Sequence, residues 1–152
     1  MSHAIEHDID VQFAVNAAGT PSADEIRQWA KLALQDHDRR AELVVRIVDE
    51  AEITALNRQY RGKDGSTNVL SFPCEGFDGV PSDLLGDVVI CAPVVAAEAA
   101  TQGKPLAAHW AHLVIHGVLH LLGYDHQHAA DADHMERRES ALLTGLGYPN
   151  PW

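Results

Sequence analysis

His116 and His120 stand four residues apart, in a stretch from 109 to 134 that holds seven of the chain's ten histidines. On a helix of 3.6 residues per turn that spacing puts two imidazoles on one face, one turn apart. Two rings so placed can bind one metal ion. His126 offers a third ring, because Gly123 between them can take the positive φ that ends a helix and turns the chain back past its own face. Zinc bonds imidazole nitrogen at about 2.0–2.1 Å, and a catalytic zinc commonly keeps three protein ligands and one water. Three neutral rings leave the ion's double charge in place, which lowers the pKa of bound water toward neutrality. The pattern therefore predicts one zinc ion per chain on His116, His120 and His126, used for hydrolysis.

His112 lies one further turn back, and Asp125 adjoins the third ring; both are candidates to orient ligands or handle protons. His109, His128 and His134 are expected to face solvent, and the N-terminal histidines sit too near the chain's end to carry meaning. Gly117 inside the helix costs about 1 kcal/mol relative to alanine, which suggests that another group approaches closely there. The run from His116 to His126 has histidines and glycine at the offsets of the HExxHxxGxxH zinc peptidases. In those enzymes the glutamate after the first histidine is the general base; here that place holds Gly117. Peptide hydrolysis by that route is disfavoured, and Asp125 and His112 are the nearby alternatives for a base.

The elements that must position these residues follow from patterning. Val11, Phe13 and Val15 alternate as in a strand. Ser22 and Glu25 form a capping box for a helix whose Ile26, Trp29, Ala30, Ala33 and Leu34 recur at helical spacing. Leu43 to Val48 reads as a strand, and Asp49 caps a helix from Glu50 to Tyr60 with Ile53, Leu56 and Tyr60 on its inner face. A loop from Arg61 to Ser66 precedes strands at Asn68–Phe72 and Leu84–Cys91. Pro93 opens an alanine-rich helix ended by Gly103. Pro105 starts a long helix to Leu122, apolar nearly all round and so central and buried. A last helix over 129–146 packs Met135, Leu142 and Leu143. The order predicts an α+β fold, a mixed four-stranded sheet packed with about five helices, the buried one carrying the metal ligands.

At 152 residues the chain is read as one domain, 1–152. Its formal net charge of −11 argues against broad attraction to phosphate backbones, so nucleic-acid contacts must be local. Cys74 and Cys91 lack CxxC spacing and read as buried free thiols. The acidic N-terminus has no secretory pattern and no apolar run reaches the roughly 18 residues of a membrane span, so a cytoplasmic protein is expected.

His116-Gly117-Val118-Leu119-His120-Leu121-Leu122-Gly123-Tyr124-Asp125-His126 resembles the signature of the bacterial YbeY family of rRNA maturation factors and endoribonucleases. Arg61 to Pro73 and Leu85 to Ile90 resemble two further blocks of that family; Asn68 departs from it where aspartate is frequent, and Cys91 where serine is. The likeness runs from about position 43 to Leu143. It implies zinc on the three histidines, processing of the 3′ end of small-subunit ribosomal RNA, ribosome quality control, and a functional role for Arg61. Taken with the reading of the residues themselves, the candidate catalytic set is Arg61, His116 and Asp125. A guanidinium suits that role, since it binds phosphate bidentately and opposes charge that builds as the bond breaks; Lys63 adds a point charge nearby. Implied partners are single-stranded ribosomal RNA, basic ribosomal proteins and an assembly GTPase of the Era type. Two rival readings are a zinc-containing assembly factor without catalysis and a zinc metalloprotease.

Overall fold

The computed structural model describes residues 5–74, 83–124 and 129–151. Along the chain come β1 (Asp8–Phe13), α1 (Ala23–Ala33), β2 (Glu42–Val48), α2 (Glu50–Arg61), β3 (Val69–Pro73), β4 (Leu84–Cys91), α3 (Ala92–Gln102), α4 (Leu106–Leu121) and α5 (Ala129–Gly145). The strands form one mixed sheet in the order β1-β2-β4-β3. β1, β2 and β4 run parallel, and β3 pairs antiparallel with β4 at the sheet's edge. This is the α+β arrangement that the patterning predicts.

Local chemistry explains where the helices start and stop. Ser22 Oγ accepts from the Glu25 amide while Glu25 reaches back to the Ser22 amide, both at 3.2 Å, so two of α1's unpaired first-turn donors are satisfied reciprocally. Asp49 caps α2 by accepting from the Glu52 amide at 2.9 Å. Gly103 ends α3 in the left-handed region at φ 65°.

Alternation along the strands divides the sheet into two faces. On one, Leu43, Val45, Ile47, Val88 and Ile90 join residues of α1, α4 and α5 in the larger core. On the other, Val48, Leu70, Val89 and Cys91 pack with Ile53 and Leu56 of α2. α4 is the buried helix, with Trp110, Val114, Ile115, Val118 and Leu119 almost wholly enclosed. Met135, Leu142 and Leu143 of α5 are buried as predicted.

Four expectations need correction. β1 begins earlier than its alternation suggests, with Ile9 as its buried residue, while Phe13 at its end is 47 % exposed; an edge strand can run out beyond the helices that cover it. Tyr60 is not on the inner face of α2 but 60 % exposed. Cys74 is exposed, whereas Cys91 is buried. His7 is tied into the fold, its Nδ1 accepting from the Ala41 amide at 3.0 Å.

Gly117 is where α4 comes closest to the sheet. A Cβ built there would lie 2.5 Å from Val88 Cγ1 and 3.4 Å from Ser71 Oγ, and that hydroxyl donates to the Gly117 carbonyl at 2.9 Å. The close approach anticipated from the sequence is thus that of β3 and β4. Val88 is a buried β-branched side chain with little freedom to move aside. Gly117→Ala is expected to destabilise the protein by about 1–2 kcal/mol, overpacking outweighing the helix-propensity gain. Val88→Ala in the same chain should restore part of that loss, a non-additivity readable from urea midpoints; simple additivity would mean that the contact is not tight.

Candidate metal centre

Four histidines of α4 stand in a row: ring centroids are 6.4 Å apart for His109 and His112, 6.1 Å for His112 and His116, and 4.6 Å for His116 and His120. Spacings of three and four residues on a helix produce this line. His116 and His120, the two ligands predicted on α4, are the closest pair and cross nearly at right angles, at 79°.

Behind them stands Glu139 of α5, whose side chain has 0 % exposure. Its Oε2 lies 3.0 Å from His112 Nε2, and its Oε1 makes a short hydrogen bond with His116 Nδ1. Burial alone would push this carboxyl up, but the hydrogen bonds from His112 and His116 and the attraction of those rings prevail and hold it at about 2. An ionised carboxylate only accepts, so Nδ1 of His116 is the protonated nitrogen and Nε2 the one with a lone pair. Carboxylate–imidazole pairs of this kind orient metal-binding histidines.

His116 and His120 line a cleft of about 980 Å³ together with Arg61, Lys63, Ser71, Gly123 and Tyr124. Arg61 is the last residue of α2, held at the rim by a left-handed Gly62 at φ 65°; Asn57, buried beneath, donates to the Gly65 carbonyl at 3.1 Å and anchors the following loop. Gly123 ends the histidine helix as predicted, with φ 98°. The Gly123 amide bonds the His120 carbonyl and the Tyr124 amide the Leu119 carbonyl, the paired pattern of a Schellman stop that reverses the chain. Tyr124 then packs on His134 of α5, ring centroids 5.1 Å apart.

His126 and Asp125, the third predicted ligand and its neighbour, lie outside the described residues, as does His128. Among the described residues, the potential ligand atoms of His112, His116 and Glu139 all fall within 4.8 Å of one another, so this group could itself hold a metal ion. The cleft-lining pair His116 and His120 offers a different use of the same residues, with Glu139 behind the ligands rather than among them. His134 is exposed as expected, but His109 is not: it is 5 % exposed, and its Nε2 lies 2.9 Å from Glu98 Oε1. Glu98 also accepts from Asn68 Nδ2 at 3.0 Å.

Sequence reasoning missed Glu139. Helical phase could have exposed it, because it follows Met135 by four residues and precedes Leu142 and Leu143 by three and four, all on the buried face of α5. A carboxylate in that stripe requires a partner.

Glu139 generates a stability prediction. Its folded value lies below the ordinary 4.5, at about 2, so its contribution is present above about 4.5 and lost as pH falls toward 2. In metal-free protein Glu139→Gln should lower stability near pH 7 by about 1–3 kcal/mol through a lost acceptor. The gap to wild type should narrow between about pH 4.5 and 2, as followed by denaturant melts; a gap unchanged across that window would contradict the ionised buried carboxylate.

The family model described as Endoribonuclease YbeY matches residues 12–147. The protein named Endoribonuclease YbeY from Methylococcus capsulatus is 57 % identical over 145 residues, covering 95 % of both chains. Its namesake from Halorhodospira halophila is 55 % identical over 141 residues, 91 % of this chain and 92 % of that one. A Thermotoga maritima protein solved in solution superposes with a TM-score of 0.64 at 26 % identity, covering 89 % of this chain and 86 % of that one. With the match extending over nearly its whole length, this chain belongs to the YbeY family.

Proposed function

We propose that the chain, 1–152 taken as one hydrolase domain, is a zinc-dependent endoribonuclease of the cytoplasm. It cleaves single-stranded RNA in ribosomal RNA maturation, at the 3′ end of the small-subunit RNA, and in ribosome quality control. The observation that carries this reading is the shared cleft: two imidazoles suited to a metal ion and a guanidinium suited to a phosphate, from opposite sides of the sheet, line one space. The name borne by the relatives supplies the substrate class.

His116, His120 and His126 hold one zinc ion per chain. The donor set fits, since imidazole nitrogen is a favoured zinc ligand and Glu139 already fixes which nitrogen of His116 can coordinate. His126 is two residues past Tyr124, itself a cleft residue, so the reach required is short. A zinc ion bound there supplies Lewis acidity toward a phosphoryl oxygen and a lowered pKa for coordinated water.

The remaining work falls to side chains. Arg61 grips the scissile phosphate through two N–H donors and opposes the charge that develops on its oxygens. Lys63 adds a second positive charge beside it. Gly117 carries none of the carboxylate that peptidases use at that position, so the proton falls to Asp125, next in sequence to the third ligand, with His112 as the alternative. With a net charge of −11, long-range attraction to RNA is weak; basic ribosomal proteins and an assembly GTPase of the Era type are the partners that bring enzyme to substrate.

Cleavage of a defined single-stranded RNA by zinc-reconstituted protein tests this reading. His116→Ala and Arg61→Ala should each slow cleavage about 100-fold or more; metal analysis should find one zinc per chain in the wild type and less than one in His116→Ala. Glu139→Gln should retain one zinc but bind it about 10- to 100-fold less tightly in a chelator competition. Equal cleavage by all preparations would trace the activity to a contaminant and defeat the proposal.

A further inference from the structure

Tyr60 is the most exposed large hydrophobic residue described, at 60 %, yet its ring is not loose. It stands edge-on to Phe72, with centroids 5.3 Å apart at 66°. Phe72 in turn packs against the smaller core between α2 and the sheet. The aromatic contact gives the tyrosine ring one neighbour to rest against while leaving most of its surface open.

Its surroundings combine cations and imidazoles. Tyr60 lines the same cleft as His116 and His120, and its neighbours there include Arg61 and Lys63. Among the described residues, Arg61 and Lys63 are the two cations lining the cleft, on a chain whose net charge is −11; Arg58, one turn back, is paired with Asp64 at 3.6 Å. Successive helix residues diverge by about 100°, so Tyr60 and Arg61 address different parts of one bound molecule.

We propose that Tyr60 is a stacking platform for an unpaired nucleobase, and that this contact selects single-stranded RNA for the cleft. The proposal rests on the endoribonuclease reading and adds to it the feature of the substrate that is recognised. Electrostatics cannot carry most of the affinity in so acidic a protein, because phosphate binding scales with the number of cations engaged. Stacking on an aromatic face needs no net charge and tolerates any base. It does need a base whose face is free, which a duplex withholds and a single strand offers. Arg61 and Lys63 then hold the adjoining phosphate, so a base seated on Tyr60 delivers the neighbouring phosphodiester toward the two histidines.

Binding of a 2′-O-methyl single-stranded oligonucleotide to the zinc-loaded protein, read by fluorescence anisotropy, separates base stacking from cleavage. An abasic residue is walked along the strand. In wild type, one position should be most sensitive to loss of its base. Tyr60→Leu should weaken binding of the intact strand about 5- to 150-fold and bind the intact strand and the strand abasic at that position equally. Tyr60→Phe and Tyr60→Trp should keep the wild-type pattern, which excludes misfolding or a role confined to the hydroxyl. The salt dependence of binding should be the same in Tyr60→Leu as in wild type, since no cation is removed. Wild-type binding by Tyr60→Leu, or equal weakening of intact and abasic strands, would overturn the stacking role while leaving the endoribonuclease reading intact if Arg61→Ala still weakens binding. Absence of RNA binding by the wild type itself would remove both.

Discussion

A carboxylate without exposed surface holds the candidate centre together. Removing a charge like that of Glu139 from water costs several kcal/mol unless good hydrogen bonds replace the lost solvation. Here each oxygen meets an imidazole of α4, one from His112 and one from His116. The same two contacts bind α5 to α4 and stop both rings from turning. They also decide the tautomer of His116, since an acceptor-only partner requires the proton on Nδ1. The orientation of the His116 Nε2 lone pair is therefore set by a residue buried on α5, more than twenty residues along the chain from the ring it controls.

Topology accounts for how a guanidinium and the imidazoles come to share a cleft. α2 packs on one face of the sheet and α4 on the other, and in the middle of a sheet elements so divided never meet. β3 is an edge strand, and its residues Val69, Ser71 and Phe72 all line the cleft. By alternation Ser71 faces α4, where it bonds the Gly117 carbonyl, while Phe72 faces α2, where it meets Tyr60. The cleft thus bends around the sheet's edge, and β3 supplies a wall to each side of it.

What could be read from the sequence was local in origin. Ser22 with Glu25, Asp49 with Glu52, and Gly123 after His120 are governed by contacts within a few residues, and each appears in the structure as its type and spacing require. The pairing of His116 with His120 is legible for the same reason. Residues whose environment is made by distant chain were misjudged or missed. His109 reads as a solvent-facing ring, but it is buried against Glu98, a partner supplied by α3. Tyr60 has the spacing of an inner-face residue, but α2 reaches the sheet's edge at that turn and the ring stays outside. Glu139 reads locally as one more acid on a charged helix, and only the phase of Met135 and Leu142 marks it as interior.

Gly117 shows how packing and chemistry constrain each other. The position after the first histidine is where the related peptidase pattern keeps its general base, so its glycine reads first as a missing catalytic group. The structure adds a steric reason: a side chain at 117 would begin 2.5 Å from Val88 Cγ1, against a strand that cannot retreat without breaking its own ladder to β2 and β3. That close approach is also what presses α4 onto β3 and β4, bringing His116 and His120 to the edge where Arg61 can face them. A glutamate at 117 would force helix and sheet apart and separate the groups it was meant to serve. Packing therefore bars a carboxylate from position 117, whatever group handles protons in the cleft.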